Sequence, residues 1–209
     1  MKGSCSSCSS GTCQPSSDKP SEDRLPPGML ECYDITKECA DGVIVLIEAN
    51  RSISDDSKKA LGKAKGLNTG RVFGMLFGPS DLRSVYQDAF AYGADTIYHF
   101  RSKDSKIDIK EYVKAFAEVS DRIHPLLLMM PSTKKGAEIA AAISSSSKVM
   151  MNECTDMRWV GNEFICSIEG AEKEVGGRLP VLVVLKSGSL PMPEKEDGRK
   201  GTAIIRNFH

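Results

Sequence analysis

VIVLIEA, residues 43–49, is the stretch on which the fold turns. It runs through β-branched and aliphatic side chains with no polar residue interleaved before Glu48. A strand with one wet face would alternate. A strand that does not alternate is buried on both faces, which is the condition of a parallel sheet covered by helices.

Outward from that strand the chain repeats one grammar. SISDDSKKALGKAKGLN opens on Ser and Asp, and Asp55 and Asp56 fall near the positive end of a helix dipole. RVFGMLFG (Arg71 to Gly78) reads as a second strand. PSDLRSVYQDAFAYGA then sets Leu82, Val85 and Ala89 at helical spacing, with Gly93 placed to end the helix. TIYHF (Thr96 to Phe100) is a third strand. Asp108 is positioned to cap IKEYVKAFAEVSDRI, whose Ile109, Tyr112, Val113, Phe116, Val119 and Ile123 line one face. LLLMM (Leu126 to Met130) is a fourth strand and passes through PSTKKG into the helix GAEIAAAI.

Four alternations with short connections predict right-handed crossovers and an α/β fold: a doubly wound, mostly parallel sheet with helices on both faces. After Ser147 the grammar changes. VMMNE, MRWVGNEFICSIEG and PVLVVLKSG read as strands, with a hairpin around Gly161 and Asn162, so a strand-rich C-terminal part is expected to extend the same sheet. Residues 1–40 are rich in Ser, Pro, Asp and Lys and poor in large apolar side chains. Such a stretch buries too little surface to offset its ordering entropy, so the expected division is a flexible, Cys-rich tail and linker over 1–40 and one domain over 41–209.

Composition narrows the function. The 28 basic and 28 acidic residues cancel and form no single-sign run, which disfavours nucleic acid as a partner. VIVLIEA and LLLMM fall well short of the roughly 20 apolar residues a bilayer requires, so no membrane insertion is expected. The N-terminus shows no apolar h-region, and a cytoplasmic location is expected. Seven cysteines, an odd number, sit in a chain with ample aliphatic residues, unlike a small disulfide scaffold. They read as thiols, metal ligands or redox groups.

Five phrases in order resemble one family: GVIVLIEAN, AYGADTIYHF, PSTKKGAEIAAAI, NECTDMRW and LPVLVVLKSG. Together they resemble the N-terminal domain of the electron-transfer flavoprotein α subunit. The matching positions are Glu48 after the first strand, then Gly93, Ala94 and Asp95 before the third. Thr133, Gly136 and the alanines 140–142 follow, then Glu153, Cys154, Thr155 and Asp156, and last the turn after PVLVVL. The resemblance covers about residues 41–206 and implies a Rossmann-like, adenine-nucleotide α-hydrolase-like fold. In the family a second domain carries most FAD contacts. This chain ends at GRKGTAIIRNFH, and its GAEIAAAIS helix has no arginine where the family commonly has one. The resemblance therefore implies FAD only if shared with a partner, an electron-transfer flavoprotein β-like subunit or another redox protein.

Two stretches carry candidate sites. PSTKKG places Ser132, Thr133, Lys134, Lys135 and Gly136 at a helix N-terminus, where backbone N–H groups and the dipole favour an anion or nucleotide; the competing reading is a simple helix cap. MKGSCSSCSSGTC spaces Cys5, Cys8 and Cys13 so that a tight turn brings two thiolates together, with Cys32 or Cys39 available as a fourth ligand. An iron–sulfur cluster, a zinc ion and unmetallated thiols are all open readings of that arm. Cys154, between Glu153 and Asp156, reads as a buried inert thiol, and His99 and His124 as loop or core-edge histidines. The expected function is a redox accessory protein acting in electron transfer with a partner and without catalysis of its own. The alternatives are a non-catalytic adenine-nucleotide binder and a zinc-binding structural subunit.

Overall fold

Gly42–Ile47 forms β1, and all of it is buried. Residues 42–102, 107–144, 149–160, 163–175 and 180–207 are described here from a computed structural model. The expected tail over 1–40 lies outside these residues.

The chain continues as α1 (Asp55–Gly66), β2 (Arg71–Gly78), a 3-10 turn (Ser80–Ser84), α2 (Val85–Ala91), β3 (Thr96–Arg101) and α3 (Ile109–Ile123). Then come β4 (Leu127–Met130), α4 (Lys134–Ser144), β5 (Met150–Val160), β6 (Glu163–Ile168), β7 (Ala171–Val175), β8 (Val181–Leu185) and β9 (Thr202–Asn207). The strands make one sheet in the order β7-β6-β5-β8-β4-β1-β2-β3-β9. Pairing is parallel from β5 through β8 across to β9, and antiparallel between β5, β6 and β7. The sheet is the expected doubly wound, mostly parallel one.

β1 explains its own composition. Val43, Val45 and Ile47 join a core with Ala60, Leu61 and Ala64 of α1 and with Val85 and Ala89 of α2. Ile44 and Leu46 point the other way, into a core with Tyr112, Phe116 and Val119 of α3 and Ile139 and Ile143 of α4. A polar residue anywhere along such a strand would lose its water without a partner, at a cost of about 1–3 kcal/mol. The helices start where sequence signals place them. Ser54 caps α1 by accepting from the Ser57 N–H, and Asp108 with Glu111 forms a capping box on α3.

Several local expectations are corrected. PSDLRSVYQDAFA is a 3-10 turn followed by a short helix, because Pro79 sets an extended entry. Ile109 is half-exposed at the first turn of α3, outside the buried face. VMMNE and MRWV are two ends of one strand, β5. The strand-rich part extends the same sheet as expected, and within it PVLVVL, as β8, lies between β4 and β5.

TAIIRN becomes β9 and closes the far edge beside β3. Its approach is fastened by charge: Arg199 reaches the Asp95 carboxylate at 2.6 Å, Glu196 pairs with Lys65 and Arg199, and Lys195 lies 3.3 Å from Asp88. Asp95 also accepts from the Val72 N–H at 2.8 Å, so the Gly-Ala-Asp phrase is a structural joint between β2 and the segment leading to β9.

His99 is wholly buried rather than at a loop or edge. Its Nδ1 faces the Tyr86 hydroxyl at 2.5 Å and its Nε2 the Gly78 carbonyl at 3.2 Å, an arrangement satisfied by a neutral ring that donates from Nε2. Burial lowers its pKa, and Arg101 and Arg83 lower it further, against opposing pulls from the Gly78 carbonyl and Asp81. A histidine of lowered native pKa resists protonation when folded, so the unfolded chain binds more protons in acid. Stability is then fully present above about pH 6.5 and is lost as pH falls below it toward the native value. Denaturant titrations between pH 7.5 and 5 should show this loss, and His99→Gln should flatten the slope.

Candidate functional site

The chain leaves β1 toward β2 and β3, then returns to lay β4 on the opposite side of β1. The connections after β1 and β4 therefore diverge, and doubly wound sheets bind ligands at the carboxyl ends of strands at such a switch point.

Glu48 follows β1 and Thr133 follows β4. The Thr133 hydroxyl donates to Glu48 Oε1 at 2.7 Å, and the same oxygen accepts from the Gly136 N–H at 2.9 Å, capping α4. One hydroxyl thus ties the first strand, the fourth strand and a helix start together. Gly136 has to be glycine: a Cβ there would run into the Pro131 carbonyl and crowd Thr133 Oγ1.

The loop after β1 is held as firmly. The Glu48 N–H donates to the buried Ser57 hydroxyl at 2.9 Å, Ser54 Oγ donates to Ser57 Oγ at 2.8 Å, and the Ser54 N–H donates to the Glu48 carbonyl at 2.9 Å. Both serines come from the polar start of α1, so Ser57 matters to the site although nothing in its spacing singled it out.

Beside this loop lies an open cavity of about 450 Å³. Ile53, Phe77 and Tyr112 give it apolar walls, and Glu48, Asn50 and Lys135 a polar rim. The Lys135 ammonium sits 4.8 Å from the centre of the Tyr112 ring, a cation–π contact that holds it at the cavity mouth. Of the PSTKKG residues, Lys135 lines the cavity, while Thr133 and Gly136 form its frame. Lys134 points outward, almost fully exposed, 4.0 Å from Glu138, and Ser132 is part-buried beside it. Tyr112 and Phe77 read in sequence as ordinary core; their second role comes from position, Phe77 at the carboxyl end of β2 and Tyr112 near the start of α3.

Cys5, Cys8, Cys13, Cys32 and Cys39 lie outside the described residues. Among the described residues no group of three or more His, Cys, Asp or Glu side chains could hold a metal ion. Cys154 is buried as expected, but it is not a free thiol: it is bonded to Cys166 of β6. Among the described residues no helix is long and apolar enough to cross a membrane.

An open doubly wound sheet with its crevice framed between β1 and β4 defines the class, a Rossmann-like α/β domain. Within that class the chain belongs to the electron transfer flavoprotein domain family, whose profile matches residues 42–207. No curated protein gives a significant match. The family's name implies a flavin, and the crevice can be tested for one. At about 450 Å³, with one lysine and one acid on its rim, it suits a mononucleotide-sized ligand. FAD joins two such units, and past the shared Tyr112 and Lys135 the surface continues into a second open cavity of about 520 Å³ along α3 and α4.

Thr133→Val keeps the shape and removes the hydroxyl. It should cost about 1–2 kcal/mol in chemical denaturation, from the lost cap and the unpaired Glu48 oxygen. Thr133→Ser should recover most of that.

Proposed function

We propose that this protein is a redox accessory protein of the electron-transfer flavoprotein α N-terminal type. It acts in electron transfer with a partner, an electron-transfer flavoprotein β-like subunit or another redox protein, and does not bind FAD alone. The observation that carries this reading is the family match over residues 42–207, on a sheet of the expected topology. In this reading Cys5, Cys8 and Cys13, with Cys32 or Cys39, carry an iron–sulfur cluster.

The test is anaerobic purification of the full chain with metal analysis and an absorption spectrum. A brown protein whose charge-transfer absorption bleaches on reduction, and disappears when Cys5, Cys8 and Cys13 are changed to Ser, is the expected result. Stoichiometric zinc in a colourless sample would favour a structural zinc arm instead. Yellow flavin co-purifying with this chain alone would refute the shared-flavin reading.

The cavity favours a second reading, a non-catalytic adenine-nucleotide module. An adenine ring would pack on Phe77 and Tyr112, with the phosphate toward Lys135. AMP or ATP should then raise the melting temperature of the full chain, and Lys135→Ala should remove that shift. No shift in the unaltered protein would dismiss the reading.

A further inference from the structure

The β5–β6 hairpin departs from regular pairing around one residue, Cys154. On the β8 side the register shifts between Met151 and Cys154, and on the β6 side between Cys154 and Asp156. Glu153, just before it, sits at φ 55°, in the left-handed region that few side chains occupy. A bulge of this kind re-aims a side chain. Here it sets Cys154 opposite Ile168, and Cys166, two residues from Ile168 along β6, shares that face. The two Cα atoms are 6.2 Å apart, inside the roughly 4.4–6.8 Å window for a disulfide. Both cysteines are 0% exposed.

The hairpin does not depend on the sulfur bond. The Lys186 N–H donates to the Cys154 carbonyl at 2.9 Å, and the Thr155 hydroxyl donates to the Ser167 carbonyl at 2.9 Å. Antiparallel pairing runs from Cys154 with Ile168 to Val160 with Glu163. Asp156 is tied to Lys63 of α1 at 2.6 Å. Met157 and Phe164 are buried in the same core as α1, by contacts that do not involve the sulfur bond. A folded form should therefore exist with the bond made and with it broken, which is what a redox couple requires.

We propose that Cys154 and Cys166 are a reversible dithiol/disulfide couple that responds to the surrounding thiol redox state by making and breaking a cross-link between β5 and β6 within a hairpin that stays folded in both states. On oxidation each thiol gives up one proton and one electron as the sulfur–sulfur bond forms. The two electrons and two protons pass to a low-molecular-weight disulfide such as oxidised glutathione, which becomes two thiols. Exchange runs through a mixed disulfide and needs an accessible thiolate. Both sulfurs are sealed in the core, so exchange waits for the hairpin to open. The couple then answers sustained shifts in redox state and ignores brief ones. This inference does not rest on the electron-transfer reading above.

The sole tryptophan gives an independent readout. Trp159 stands on the same hairpin, its ring 5.1 Å from that of Phe164. The experiment uses the full chain with Cys5, Cys8, Cys13, Cys32 and Cys39 changed to Ser, equilibrated across ratios of reduced to oxidised glutathione. Alkylation with mass analysis counts thiols while Trp159 fluorescence is followed. Two thiols should appear and vanish together at one midpoint, the fluorescence should track them reversibly, and sub-denaturing urea should speed exchange several-fold. Cys166→Ser should abolish both signals while circular dichroism keeps its native form. A pair that stays wholly oxidised or wholly reduced at every ratio would overturn the proposal. So would bond formation that leaves Trp159 fluorescence unchanged.

Discussion

The double burial of β1 is the constraint from which the rest follows. A strand with apolar side chains on both faces can exist only with a helical layer on each side, and the chain supplies α1 and α2 on one and α3 and α4 on the other. To place helices on both faces with right-handed crossovers, the chain must reverse its direction of travel across the sheet once. That reversal opens the gap between the connections after β1 and β4. The crevice is thus a geometric result of how the central strand is covered, and Glu48 is the first polar side chain that strand reaches as it emerges.

At that gap one hydroxyl carries an unusual share of the order. Thr133 bonds to Glu48 and to the Gly136 N–H, so the spacing of the two strand ends and the start of α4 are fixed by the same oxygen. The exposed ion pairs elsewhere, such as Arg122 with Glu118, are each worth about 0–1 kcal/mol and set little. The resemblance to the family rests largely on residues of the first kind. Thr133, Gly136 and Asp95, which belong to the resembling phrases, are in this chain held by backbone contacts.

Legibility in the sequence follows the range of the interactions. The four strand–helix units were readable because their signals are local: the unbroken runs of β1 and β4, the Ser54 and Asp108 caps, and Gly93 after α2. The positions of β8 and β9 in the sheet were not readable. They depend on pairings such as Asp95 with Arg199 that join residues far apart in sequence. The same limit applied at the site. Lys135 was singled out by the PSTKKG phrase, but its contact with Tyr112 needed α3 and α4 side by side. His99 looked like a strand end because its partners, Tyr86 and the Gly78 carbonyl, come from other elements. Cys154 looked like a lone thiol because its pairing with Cys166 depends on the bulge, which no composition signal announces.

The fastening of β9 has a consequence for biogenesis. β3 emerges from the ribosome with one side unpaired, and its closing neighbour arrives only after the residues of β4 through β8 have been made. The joint that secures this closure spans 104 positions, from Asp95 to Arg199. For about half the length of the chain, then, the nascent sheet carries an edge strand whose backbone N–H and C=O groups are open to pairing with other chains until Thr202–Asn207 is made.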